Sequence, residues 1–128
     1  MTRQFVNLIF KQSDEFRFHA KIEVFHGPYC IGIAKVSRNG STATLADIII
    51  YKHKRRFINC LPIYKIVDYR NKGIGTELLM HVISFCTQNG IQEIHGRVNG
   101  DTKILIPWYI KHGFNVNKHN ELHMDLNS

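Results

Sequence analysis

The stretch Tyr69-Arg70-Asn71-Lys72-Gly73-Ile74-Gly75-Thr76-Glu77-Leu78-Leu79 places two glycines and two cations where extended chain passes into an amphipathic helix. Without side chains, Gly73 and Gly75 let a bulky anion approach the backbone, and the N–H groups of a first helical turn point toward it. The helix dipole adds partial positive charge, and Arg70 and Lys72 add full charges. Arg70, Asn71, Lys72, Gly73, Ile74, Gly75 and Thr76 therefore form a candidate pyrophosphate cradle, although the same Gly-x-Gly also fits a plain tight turn into a helix. A P-loop is set aside because its Lys follows the glycines, whereas Lys72 precedes them. A dinucleotide fingerprint is set aside too, since it follows the first strand of a β-α-β unit and carries a third glycine.

The elements that must position this segment change character along the chain. Phe5, Asn7 and Ile9 begin a strand, and Phe16, Phe18, Ala20, Ile22 and Val24 form a period-two face opposite Arg17, His19, Lys21 and Glu23. Gly27-Pro28 is a turn signal, Tyr29–Val36 a strand, Arg38-Asn39-Gly40-Ser41 a hairpin turn, and Thr42–Tyr51 a β-branched strand. Lys52–Tyr69 reads as an inserted loop with a short extended piece, because Pro62 argues against a central strand or helix. Leu78, Leu79, Val82, Ile83 and Cys86 give Ile74–Asn89 an apolar helical face, closed by Gly90. Ile91–Val98 is a strand and Lys103–His112 a second helix, capped by Asp101 or Thr102 and closed by Gly113. Phe114–Asn117 and Glu121–Leu126 form a terminal hairpin. The order is a β-meander, then helix, strand, helix, strand, strand.

A chain of 128 residues suits one domain with one core, so residues 1–128 are expected to form a single domain. A hydrophobic fraction of 44% and a charged fraction of 21% are those of a globular protein. No apolar run approaches the roughly 20 residues needed to span a bilayer, and Met1–Phe5 has no signal-peptide pattern. The cysteines (Cys30, Cys60, Cys86) are far apart and make no Cys-x-x-Cys, which fits a reducing, cytoplasmic setting. The net charge of +7 points to an anionic partner without naming it.

The segment Arg70–Gly75 with its Leu-Leu-bearing helix resembles the Arg/Gln-x-x-Gly-x-Gly/Ala signature of the GCN5-related N-acetyltransferase (GNAT) superfamily. Further on, Trp108-Tyr109-Ile110-Lys111-His112-Gly113-Phe114 resembles the family's aromatic-Tyr-x-Lys-x-Gly-Phe segment, and His123-Met124-Asp125-Leu126 falls where its last strand does. The resemblance covers Thr42 to the C-terminus. It implies an α+β fold: a mixed, mostly antiparallel twisted sheet of about six or seven strands with two helices in the C-terminal half. It also implies an N-acetyltransferase that takes acetyl-CoA as co-substrate and transfers the acetyl group to a primary amine by direct attack in a ternary complex. Splaying of Thr42–Tyr51 from Ile91–Val98 would open a cleft for the pantetheine arm.

By the same resemblance Tyr109 is the candidate acid that protonates the departing thiolate; the alternative is a packed helix aromatic beside Trp108. Asp47 is a candidate base on the strand bordering the reaction centre, or it pairs with a neighbouring Lys or backbone amide. His19, His26 and His95 are further candidate bases.

The sequence departs from the family pattern in three places. The helices usually found after the first strand are missing, Asn7–Phe16 offering only a short turn, and about eighteen residues (Lys52–Tyr69) separate the preferred strand from the glycine loop. A second register, with the family strand at Ile63–Val67, removes that insertion but leaves Asp47 without a role. Thr102 replaces the Asn often found at the start of the later helix.

The eight histidines form no local metal motif: His119 and His123 would stand roughly 13 Å apart on an extended strand. No metal is expected. Cys86 belongs to an apolar helix face rather than to a nucleophilic site. The basic run Lys52–Arg56 fits a solvated loop, a contact to the cofactor's ribose phosphate, an acidic substrate or nucleic acid. Two other functions stay open: a catalytically silent acyl-CoA-binding, sensing or partner-docking module and, ranked last, a nucleic-acid-binding domain. The expected acceptor is a small-molecule or protein amine, no membrane partner is expected, and a homodimer in which a second copy completes the meander is consistent with the pattern.

Overall fold

The computed structural model describes residues 8–58, 63–68 and 73–127. Four strands come first: β1 (Leu8–Gln12), β2 (His19–His26), β3 (Tyr29–Asn39) and β4 (Thr42–Ile50). Then follow β5 (Lys52–Ile58), β6 (Ile63–Asp68), helix α1 (Ile74–Gln88), β7 (Glu93–Arg97), helix α2 (Thr102–Lys111), β8 (Asn115–Val116) and β9 (Glu121–Asp125). Seven strands share a sheet in the order β1-β2-β3-β4-β7-β9-β8, and β5 pairs with β6 in a second, two-stranded sheet. The β4–β7 pair is parallel and the other described pairs are antiparallel. The architecture is the expected α+β one.

Two expectations need correction. The segment read as an inserted loop holds the antiparallel hairpin β5–β6, with Lys52 opposite Asp68 and Arg55 opposite Lys65. Pro62, which argued against a central strand there, lies outside the described residues. Phe18, placed by alternation on the inner face of β2, lies before that strand begins and is 66% exposed. Phe5 and Asn7, expected to begin the first strand, lie outside the described residues.

The interior forms because each strand offers alternate residues to one side of the sheet. Ala20 and Ile22 on β2, Ala34 and Val36 on β3, and Ala43 and Leu45 on β4 pack against Leu78, Leu79, Val82 and Phe85 of α1. The same cluster continues through Ile94 on β7, Tyr109 on α2, and Leu122 and Met124 on β9. The opposite positions of β7 and β9 are polar: Glu93, His95, Arg97, Glu121, His123 and Asp125. Cys86 is part of the core, and burial pushes its thiol up to about 11, with Arg38 pulling weakly the other way.

In β4 the ladder to β3 skips a residue: Lys35 pairs with Asp47 but Val36 with Leu45, so Ala46 is a bulge. One extra residue reverses the inward–outward phase of everything after it. Ala43 and Leu45 point into the core before the bulge, and Ile48 and Ile50 pack against it after the bulge. In an unbulged strand that alternation would turn both isoleucines away.

Leu79→Ala should lower stability by about 2–5 kcal/mol in chemical denaturation, because a fully buried side chain leaves a cavity among packed neighbours. Met80→Ala on the next, half-exposed position of α1 should stay within about 0.5 kcal/mol.

Candidate active site

The parallel pairing of β4 with β7 runs from Thr42–Glu93 to Leu45–Gly96 and goes no further. The two backbones lie close at that last pair: a side chain at Gly96 would put its Cβ 3.0 Å from the Leu45 carbonyl oxygen. Past that point β4 continues to Ile50, while the chain after β7 turns through Asn99 and Gly100 into α2. The gap is a cleft of roughly 310 Å³ whose walls include Leu45, Asp47 and Ile50 of β4, Gly75 and Thr76 of α1, and Tyr109 of α2.

At one end of the cleft stands the N-terminus of α1. Gly73 is its N-cap residue with φ of 81°, a left-handed conformation that suits glycine, and no side chain caps the helix. The first bond of the ladder runs from the Glu77 N–H to the Gly73 carbonyl, so the N–H groups of Ile74, Gly75 and Thr76 precede the intrahelical pattern. Gly75 lines the cleft, and a Cβ added there would meet only Ile50 and Trp108 side-chain atoms at 3.9 Å. The side chain of Ile74 points elsewhere: it is buried with Val24 and Ile31 and pins the helix start to β2 and β3. Arg70, Asn71 and Lys72 lie outside the described residues.

Thr76 faces α2. Its hydroxyl accepts a hydrogen bond from the Trp108 indole N–H at 3.1 Å and lies 3.5 Å from His112 Nε2. The Asp101 carboxylate caps α2 by accepting from the Lys103 N–H, which selects Asp101 over Thr102 as the cap. One residue past Trp108, the Tyr109 ring meets Trp108 edge-on at 4.9 Å and Phe114 at 5.5 Å. Burial first, and the Asp47 carboxylate second, push the Tyr109 phenol above its ordinary value of 10. Both effects favour the protonated, proton-donating form.

Asp47 is exposed on β4 directly after the bulge, with Lys35 as its cross-strand neighbour. Tyr109 and Asp47, 62 positions apart in sequence, thus share one cleft. The other candidate bases do not line it: His19 and His26 lie at the two ends of β2, and His95 is on β7 opposite His123. Sequence reasoning missed Arg97 and Asn99, which line the cleft after β7, and the coupling of Thr76 to Trp108. The preferred register stands, since β4 pairs with β7 while Ile63–Asp68 pairs with β5. Between β1 and β2 there is no helix.

A model of the acetyltransferase (GNAT) family matches residues 3–114. No curated protein matches the chain by sequence. Among solved structures, the PaiA N-acetyltransferase from Thermoplasma acidophilum in complex with coenzyme A is 19% identical, with a TM-score of 0.63; the alignment covers 84% of this chain and 61% of that one. The chain therefore spans less than two thirds of the length of that protein. The ribosomal-protein-S18-alanine N-acetyltransferase from Escherichia coli is 17% identical with a TM-score of 0.67, covering 86% of this chain and 70% of that one. A GNAT family acetyltransferase from Elizabethkingia anophelis with acetyl-CoA bound is 11% identical with a TM-score of 0.68, covering 94% of this chain and 99% of that one. At these identities the likeness is one of fold.

Thr76→Val should cost about 0.5–1.5 kcal/mol by removing the acceptor of the Trp108 N–H. Because Trp108 is the single tryptophan, the same variant should show a shifted fluorescence maximum, read directly in the native state.

Proposed function

Since the chain belongs to the acetyltransferase (GNAT) family, we propose that it is an N-acetyltransferase that moves an acetyl group from acetyl-CoA to a primary amine within a ternary complex. The observation that carries this reading is the cleft between diverging β4 and β7, with an uncapped helix start at one end and Tyr109 and Asp47 in its walls. The N–H groups of Gly73, Ile74, Gly75 and Thr76 hold the pyrophosphate, and Arg70, Asn71 and Lys72 just before them add positive charge. The pantetheine arm lies between the strands, where the β4 backbone no longer pairs with β7. Residues 1–128 act as one acyl-CoA-binding domain.

In the reaction the lone pair of the neutral amine attacks the thioester carbonyl carbon. The C–S bond then breaks, and the sulfur leaves with its electron pair. Tyr109 donates its phenolic proton to that thiolate, and its raised pKa keeps the proton in place until sulfur claims it. The nitrogen loses a proton to Asp47, directly or through water, giving the neutral amide. The acceptor is a small-molecule or protein amine. A catalytically silent acyl-CoA-binding module is the second reading, favoured by the absence of a helix between β1 and β2. Saturating acetyl-CoA binding without acetylation across a broad amine panel would select it.

Gly75→Glu should abolish acetyl-CoA binding in calorimetry while the helix persists. Its Cβ makes only ordinary contacts, and a carboxylate suits a helix N-terminus, so bulk and negative charge act on the ligand alone. Binding that survives the change would remove the cradle assignment.

Tyr109→Phe should keep acetyl-CoA binding and slow turnover by about 100-fold or more, the usual range for a lost proton donor. In the unchanged protein the alkaline fall of kcat should come only as pH rises through the Tyr109 pKa, above its ordinary value of 10. Asp47→Asn removes the second cause of that elevation, so the alkaline fall should begin at lower pH. Turnover in Tyr109→Phe equal to that of the parent would remove the acid role.

A further inference from the structure

We propose that Glu93, His95 and His123 form a binding site for a divalent first-row transition-metal ion, zinc foremost, on the polar face of the sheet. His95 and His123 are directly opposite each other on antiparallel β7 and β9. Directly opposed side chains start from Cβ atoms about 4.5–5.5 Å apart, a spacing that two imidazoles can converge across. Glu93, two residues before His95, projects on the same face and is the diagonal neighbour of His123.

The side chains have already converged. His123 Nε2 lies 3.0 Å from one Glu93 carboxylate oxygen and His95 Nε2 lies 3.9 Å from the other. The imidazole rings have centroids 4.9 Å apart, and one ligand atom from each of the three residues falls within 4.8 Å of the others. Tetrahedral zinc, with bonds of about 2.0–2.2 Å, sets its donor atoms about 3.4 Å apart. All three side chains are between 37% and 45% exposed, so small rotations close the difference without disturbing the core.

The ligand chemistry selects the ion. Two imidazoles and a carboxylate suit zinc, copper or nickel, whereas magnesium and calcium take oxygen donors. The charge around the site favours a cation as well. Asp125 is opposite Glu93, and Arg97, the nearby cation on β7, pairs with Glu121 at 3.9 Å. Among the described residues, the carboxylates on β7 and β9 are Glu93, Glu121 and Asp125, and Arg97 is the one guanidinium beside them. Beside β7 on its other edge, Thr44 aligns with His95, and beyond β9 Asn115 aligns with His123; neither adds charge.

Three protein ligands leave a further position for water or another small donor. The ion would clip β7 to β9 next to the strand end that supplies Arg97 to the cleft. Its site lies outside the cleft and takes no part in the proposed acetyl transfer. The sequence conceals it because Glu93 and His123 are 30 positions apart and no local His motif joins them.

The test is zinc titration of the metal-free full-length chain, followed by calorimetry and by thermal denaturation with and without zinc. One zinc per chain should bind, raise the melting temperature and be removed by EDTA, while magnesium does neither. His95→Ala and His123→Ala should each weaken zinc binding at least tenfold and lose the zinc-dependent rise in melting temperature. His119→Ala, which alters a histidine outside the cluster, should behave as the parent. Absence of zinc binding in the parent would overturn the proposal, as would full binding in the folded His95→Ala/His123→Ala double variant. Neither result bears on acetyl transfer, which is read separately.

Discussion

The arrangement depends on a parallel ladder that stops early. β4 and β7 hold together from Thr42–Glu93 to Leu45–Gly96 and then part. Past that point the backbone of β4 keeps its partner on the β3 side, where Ala34, Ile33 and Gly32 continue to pair with Ile48, Ile49 and Ile50. On the other side its polar groups are offered to whatever enters the gap. A buried amide without a partner is costly, so this edge stays wet or receives an extended, hydrogen-bonding ligand. α1 and α2 bound the opening, and the Trp108–Thr76 hydrogen bond ties those helices together.

Much of this was legible because the local periodicities are clean. The recurrence of Leu78, Leu79, Val82 and Cys86 at helical spacing marked α1, and its buried face includes all four. Alternation marked β2, the turn signals Gly27-Pro28 and Arg38–Ser41 bracketed β3, and β-branched residues marked β4. The glycine loop and the Trp108–Phe114 segment carried the family resemblance, and the family match over residues 3–114 agrees with it.

What stayed hidden depends on partners distant in sequence. The bulge at Ala46 exists only in the register between β3 and β4, and nothing in Leu45-Ala46-Asp47-Ile48 announces it. Phe18 satisfies the alternation of β2 yet falls outside the strand and into solvent. Lys52–Ile58 begins with a basic run that lacks strand alternation, so its pairing with Ile63–Asp68 could not be read locally. Thr76 stands in the glycine loop, while its hydrogen-bond partner, Trp108, is 32 positions away. The convergence of Tyr109 with Asp47 has the same origin: a helix and a strand meet across a gap that only the sheet order defines.

The bulge at Ala46 also bears on how this chain can change. A substitution there alters one small, exposed side chain. A deletion would let the ladder run on regularly, with Leu45, Asp47 and Ile48 still opposite Val36, Lys35 and Ala34, so Ile48 and Ile50 would stay inside; what it removes is the bend and extra twist that a bulge gives its strand. At this position the shape of the strand is carried by one extra length of backbone rather than by the side chain on it. Drift in sequence can therefore be wide here, whereas loss of a single codon would straighten β4 at the point where it parts from β7.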